Sequence, residues 1–357
     1  MPKRTASVVR TDESLFELVS RGRKGPGGNL VLSPGQVAAV ARTVGRTPEV
    51  MVKVSGGARE VSGAKAHFSY IDRHGKLEIH TDEDRALVGK DAAAEMLDDW
   101  NLELSAGQYR RAPAKGEKDN RPKVVHNIVL SMPGDTPPEK VLAAAKAFAR
   151  EQFALQYRYA MVLHTDQDHP HVHLVVKAEH EYEQGKRLYV RKATLRDWRE
   201  AFASSLREQG VAANASPRQM RAENRAPKKD AIHQRLKSLA EFAGLEAAEK
   251  TSRSAPVPST FMRRKVQSVA DELKAGGLKA EAGKETLKRT RDSVTELWRS
   301  ISAALVAQGE KALASQVDAF VSAMPKVRTE KEQIASQLLA KIEANRVEQR
   351  DAGKGRE

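Results

Sequence analysis

Cysteine is absent from this 357-residue chain. That excludes a disulfide framework, a thiol nucleophile and a thiolate zinc site, and makes the cytosol the expected compartment. An apolar N-terminal core is missing too: MPKRTASVVRTDES is polar and basic, so a signal peptide is not expected. No stretch approaches the roughly eighteen apolar residues that a spanning helix requires, so no membrane insertion is expected. No internal repeat is evident. Acidic residues are outnumbered, with Asp+Glu 47 against Lys+Arg 61, which leaves a net charge of +14 and a pI near 9.8. An excess of that size favours a polyanionic partner, nucleic acid first. An anionic lipid surface is the other option, but no strongly amphipathic basic helix precedes residue 162.

What is present concentrates at residues 162–177, VLHTDQDHPHVHLVVK. Four of the ten histidines stand there, His164, His169, His171 and His173. His171 and His173 run into Leu174, Val175 and Val176, a β-branched stretch that predicts a strand. Side chains alternate along a strand, so the two imidazoles share a face, roughly 7 Å apart. His164 ends the run YAMVL, a neighbouring strand, and the Asp-rich segment closed by Pro170 predicts the hairpin between them. That hairpin folds His164 back as a third ligand. Three imidazoles with open positions describe a catalytic metal site better than a structural one. A polar surface hairpin that takes up metal adventitiously is the bland alternative.

The remaining pattern sets the frame. Residues 1–45 are basic and punctuated by Gly and Pro, an N-terminal arm with a short helix near 34–44. A strand is predicted at 50–54, a helix at 58–73 closed by Gly75, a short strand at 76–80 and a helix at 88–100. A charged loop follows at 108–121, then a strand at 123–130. Thr136, with two prolines in the first turn and Glu139 behind them, predicts the start of a helix running to about 153. After the His hairpin, a last helix is expected at 194–209. The fold class is therefore α+β, a two-layer, mainly antiparallel sheet with helices on one face, over residues 46–215. Arg218, Arg221 and Arg225 open a basic helix or linker at 216–260, suited to a phosphate backbone or merely solvated. Residues 261–357 are helix-forming, with apolar stripes through Val294, Leu297, Ile301 and Leu305, through Leu313, Val317, Phe320 and Val321, and through Ile334, Leu338, Leu339 and Ile342.

A divalent metal in a basic, thiol-free protein suggests phosphoryl chemistry. The residues alone leave the nucleophile open between water and one of the tyrosines at 70, 109, 157, 159, 182 and 189.

The segment HTDQDHPHVHLVV resembles the third motif of plasmid conjugative relaxases of the MobP type, HUH endonucleases that include the Ti-plasmid border-nicking relaxases. FSYIDRHGKL from Phe68 resembles their first motif, Y-x-x-R-x-G-x-L, and NIVLSMP from Asn127 their second. TLRDWR from Thr194 and the stretch around Gly210 and Asn214 are similar to a segment that follows the His motif in these relaxases. The resemblance covers about residues 48–225. It implies transesterification: Tyr70 attacks a scissile phosphodiester in single-stranded plasmid origin DNA, leaving a 5′-phosphotyrosine and a free 3′-hydroxyl. It implies His164, His171 and His173 as ligands of Mg²⁺ or Mn²⁺, and Asp166 as the acceptor that orients one imidazole, with Asp168 as its alternative. It implies Ser131 and Arg73 at the DNA, relaxosome accessory proteins as partners, and translocation with the strand through a type IV secretion channel. His169 is then spare or a DNA contact; His67 and His74 are rival nucleophiles or DNA contacts. Two other functions stay open: a non-cleaving DNA-binding mobilisation or replication accessory protein, and a metal-dependent nuclease that uses water.

Overall fold

The computed structural model describes residues 30–102, 119–222, 260–281 and 283–354. Residues 38–216 form one unit, and residues 1–37 with 217–357 another. In the first, the strands are β1 (Met51–Gly56), β2 (Ile79–Thr81), β3 (Ala86–Leu87), β4 (Val125–Ser131), β5 (Tyr159–His164) and β6 (His171–Lys177). They make a six-stranded sheet in the order β1-β4-β6-β5-β2-β3, every neighbouring pair antiparallel. The helices are α1 (Pro34–Val44), α2 (Val61–Ile71), α3 (Ala92–Asp99), α4 (Pro138–Phe153) and α5 (Lys192–Glu208).

The α+β class and the antiparallel sheet are as the sequence pattern predicts. The layering differs, because helices cover both faces rather than one. Val52, Ile128, Leu130, Met161, Val172, Leu174 and Val176 pack against α4 and α5 through Phe148, Phe153, Trp198 and Phe202. On the opposite face Val125, Ala160, Val162 and Val175 pack against α2 and α3 through Phe68, Ile71, Leu97 and Trp100. The cause is visible in β5 and β6, whose apolar residues fall on both parities, as strands buried on two sides require. β3 was not expected, since two residues carry no periodicity to detect.

Local signals set several boundaries. α4 starts with Pro at its first turn, where a missing N–H costs nothing, but its N-cap is Pro137, and no side chain caps it. Thr136 is instead buried one residue earlier, its N–H bonded to the Pro133 carbonyl at 3.1 Å. Aromatic rings of α4 and α5 meet edge-on, Phe153 with Trp198 at 5.4 Å and Phe148 with Phe202 at 6.0 Å. Asn214 closes the domain against the start of β1, with its amide on Thr43 Oγ1 at 3.1 Å and on Glu49 Oε1 at 3.0 Å.

The second unit contains α6 (Thr260–Lys274), α7 (Lys284–Ala307), α8 (Lys311–Ser322) and α9 (Glu330–Lys354). α7 packs on α8, and α6 on α9. The first predicted stripe is buried at Val294, Leu297, Ile301 and Leu305, and Val317 of the second is buried; Leu339 and Ile342 of the third stay exposed. No helix among the described residues is long and apolar enough to cross a membrane.

One close approach ties the fold to the His hairpin. A Cβ on Gly134, just after β4, would lie 2.0 Å from the Asp168 carbonyl oxygen and 3.8 Å from His169 Nδ1. Gly134→Ala must therefore push on the hairpin loop. Overpacking of this kind costs roughly 1–3 kcal/mol, a fall of about 3–10 °C in Tm. Thermal denaturation reads it, and an unchanged Tm would show that the loop yields freely.

Candidate metal centre

β5 and β6 place the three imidazoles. His164 and His171 are direct register partners at the hairpin's mouth, and His173 lies opposite Val162. Cross-strand partners point to one face, so all three rings gather on the side covered by α2 and α3. Ring centroids are 5.1 Å apart for His164 and His171, 4.5 Å for His164 and His173, and 5.1 Å for His171 and His173. One ligand nitrogen from each lies within 4.8 Å of the others.

Hydrogen bonds set which nitrogen is free. His164 Nε2 sits 2.6 Å from the Ile71 carbonyl, which only accepts, so Nε2 carries the proton and Nδ1 keeps its lone pair. His171 Nδ1 sits 3.0 Å from the His169 carbonyl and donates likewise, leaving Nε2 bare. The first bond also satisfies one of the last carbonyls of α2, which a helix end leaves unpaired. It fixes that helix terminus to the triad.

Burial lowers the pKa of His164 despite the opposing Ile71 hydrogen bond. For His173, burial and then the neighbouring His164 and His171 push the value down to about 3. Both shifts favour the neutral imidazole, the form that binds a cation. The donor set fits a divalent metal.

Stability follows with a definite sign. The His173 pKa is depressed from 6.5 to about 3, so between those values the unfolded chain binds the extra proton. Its contribution is complete above pH 6.5 and is lost as the pH falls. From pH 7 to pH 5 metal-free protein should lose about 2 kcal/mol from this group. Tm against pH measures this. His173→Gln should flatten the profile; an already flat wild-type profile would contradict the assignment.

The C-terminus of α2 carries the other candidates. Tyr70 is 59 % exposed. α2 stops at Ile71, two residues earlier than its pattern suggests, and Arg73, His74 and Gly75 follow with φ of 55°, 59° and 81°. Two non-glycine residues in the left-handed region are costly and tend to sit at functional sites. At Gly75 a Cβ would meet the Gly89 carbonyl carbon at 2.4 Å, so only glycine fits. This turn throws the Arg73 side chain back over its own helix. The guanidinium lies 5.4 Å from the Tyr70 ring centroid, and its Nη2 is 3.5 Å from His164 Nδ1 and ion-paired with Asp166.

Asp166 approaches His164 Nδ1 at 3.8 Å. Desolvation would raise its pKa, but the Arg73 hydrogen bond and charge outweigh that and hold it below the usual value. The Asp168 carbonyl lies against Gly134. His169 is exposed and serves through its carbonyl.

Ser131 is the register partner of His171, so it sits beside the triad, but it is buried and donates to the Met132 carbonyl at 3.4 Å. Arg218 and Arg221 belong to the other unit, and Arg225 lies outside the described residues. His74 turns away to Ser69 Oγ at 2.9 Å. His67 is nearer, its ring 6.3 Å from that of His173. Its spacing of four from Ile71 on one helix face was the available signal.

Residues 76–211 match the family model described as Relaxase: MobA/VirD2-like, nuclease domain. Over these residues the chain is similar to MobA/VirD2-like relaxase nuclease domains. The match contains the triad and Asp166 and begins after Tyr70 and Arg73. The T-DNA border endonuclease VirD2 of Rhizobium radiobacter is 28% identical over 140 residues, 36% of this chain and 31% of that protein. The namesakes of Rhizobium rhizogenes and of Agrobacterium fabrum (strain C58) are each 26% identical over 140 residues, 36% of this chain and 30% of theirs. This chain thus matches about a third of the length of these relatives. Two solved chains align with this one at low TM-score. One, from work described as Molecular Basis of Vancomycin Resistance Transfer in Staphylococcus aureus, is 15% identical with TM-score 0.31, covering 48% of this chain and 99% of its own. The other, the Conjugative Relaxase TrwC in complex with mutant OriT Dna, is 12% identical with TM-score 0.29, covering 70% and 98%.

Proposed function

We propose that this chain nicks one strand of plasmid transfer-origin DNA by transesterification at Tyr70. The phenol oxygen attacks the scissile phosphorus, the Tyr–O–P bond forms, and the bond to the 3′ oxygen breaks. The phenol proton leaves, and the departing 3′ oxygen takes one up. One phosphodiester replaces another, so reversal by a 3′-hydroxyl rejoins the strand without added energy.

The observation that carries this is Arg73, one side chain that touches the Tyr70 ring, His164 and Asp166. It brings a fixed positive charge between the proposed nucleophile and the triad, where a phosphate would need it. His164, His171 and His173 would hold Mg²⁺ or Mn²⁺, which supplies polarisation of a phosphoryl oxygen when bound. Asp166 keeps Arg73 in place. Ser131, buried, supports the His171 side of the site rather than touching DNA directly. Arg218, Arg221 and Arg225 would add positive charge that attracts the strand. The relatives are border endonucleases, which supports a strand destined for transfer; relaxosome accessory proteins and a type IV secretion channel are the proposed partners.

Water as the nucleophile is the second reading, favoured by the start of the family match beyond Tyr70. One assay separates the two. The full chain is incubated with labelled single-stranded origin oligonucleotide and Mn²⁺, then run on a denaturing gel. A protein-linked labelled band supports the tyrosine route. Cut DNA without it supports water, and no cutting supports a DNA-binding accessory role.

A further inference from the structure

We propose that His67 is the positioning residue for His173, accepting a hydrogen bond from His173 Nδ1–H directly or through one water. The inference rests on the triad holding a metal. A metal-binding imidazole donates its other N–H to an acceptor that fixes tautomer and ring angle. His164 has the Ile71 carbonyl and His171 the His169 carbonyl. His173 has neither: its Nδ1 is buried without a partner. A buried donor left unpaired is destabilising, so it calls for an acceptor.

The ring that faces it edge-on, at 67° and 6.3 Å between centroids, is His67. His67 Nε2 is likewise buried without a partner. One donor and one acceptor, each unmatched and on adjacent rings, satisfy each other after a small rotation or through a bridging water. His67 also stands one helical turn before Tyr70. One helix would then carry both the proposed nucleophile and the group that orients the third ligand.

The test titrates the full chain with Mn²⁺ by calorimetry and with Co²⁺ by visible absorption. His67→Phe keeps a ring but removes the acceptor; it should weaken metal binding roughly 10–100-fold and alter the Co²⁺ spectrum. His67→Gln keeps an acceptor and should recover affinity to within about threefold of wild type. In wild-type protein, ring ¹⁵N shifts should show a protonated Nδ1 on His173 and a bare Nε2 on His67. A His67→Phe chain that binds like wild type, a His67→Gln chain that loses as much as His67→Phe, or a protonated His67 Nε2 each overturns the inference alone. A wild-type chain that binds neither ion overturns the metal site and the inference with it.

Discussion

Tyr70→Phe should abolish the protein-linked DNA product, a loss on the order of 10⁴-fold or more in nicking rate. The substitution deletes one oxygen. The ring stays under the Arg73 guanidinium, and the residue is 59 % exposed, so the fold should not notice; Arg73 loses its hydrogen bond to the phenol oxygen but keeps its pairing with Asp166. DNA affinity, set mainly by phosphate contacts with basic residues, should stay within about twofold. Other tyrosines are poorer candidates. Tyr157 and Tyr159 are buried. Tyr182 and Tyr189 are exposed at 78% and 68%, but the stacked guanidinium that reaches the triad belongs to Tyr70. Tyr109 lies outside the described residues. Tyr70→Phe protein that still cuts, with hydrolysed ends, would replace this mechanism with water attack.

The triad was legible because a strand has period two and a short Asp-Pro hairpin has little freedom. H-x-D-x-x-x-x-H-x-H on such a hairpin leaves the three rings nowhere else to go, and register His164 to His171 is the result. The α+β class was legible for the same reason, in alternating strands and amphipathic helices. What the pattern hid is tertiary. That Ile71 ends a helix and its carbonyl accepts the His164 Nε2–H bond depends on where α2 docks. The left-handed pair Arg73 and His74 is invisible too, since neither residue type announces positive φ as glycine does. The second helical layer was missed because Ala160, Val162 and Val175 read as ordinary strand filler until α2 and α3 lie on them. His67 drew notice only for its nearness to Tyr70; its relation to His173 needs the packed helix.

His171→Ala should cut nicking on the order of 10³-fold, the several kcal/mol that charge stabilisation at a phosphoryl oxygen is worth, while single-stranded DNA binding stays within about threefold. His171 is the central member of a row across the sheet, between Ser131 and His164. Alanine removes its free Nε2 and the Nδ1 bond to the His169 carbonyl, but leaves the backbone ladder of β6 intact. Metal should therefore stop protecting the fold. Mn²⁺ at 100 times its Kd stabilises a one-site protein by about 2.7 kcal/mol; the variant should lose that gain in Tm and keep the metal-free Tm within a few degrees. Filter binding and the denaturing gel, run on one preparation, separate the two effects. Equal loss of cutting and of DNA binding would mean that His171 holds the DNA surface together, and the triad would then be structural rather than chemical.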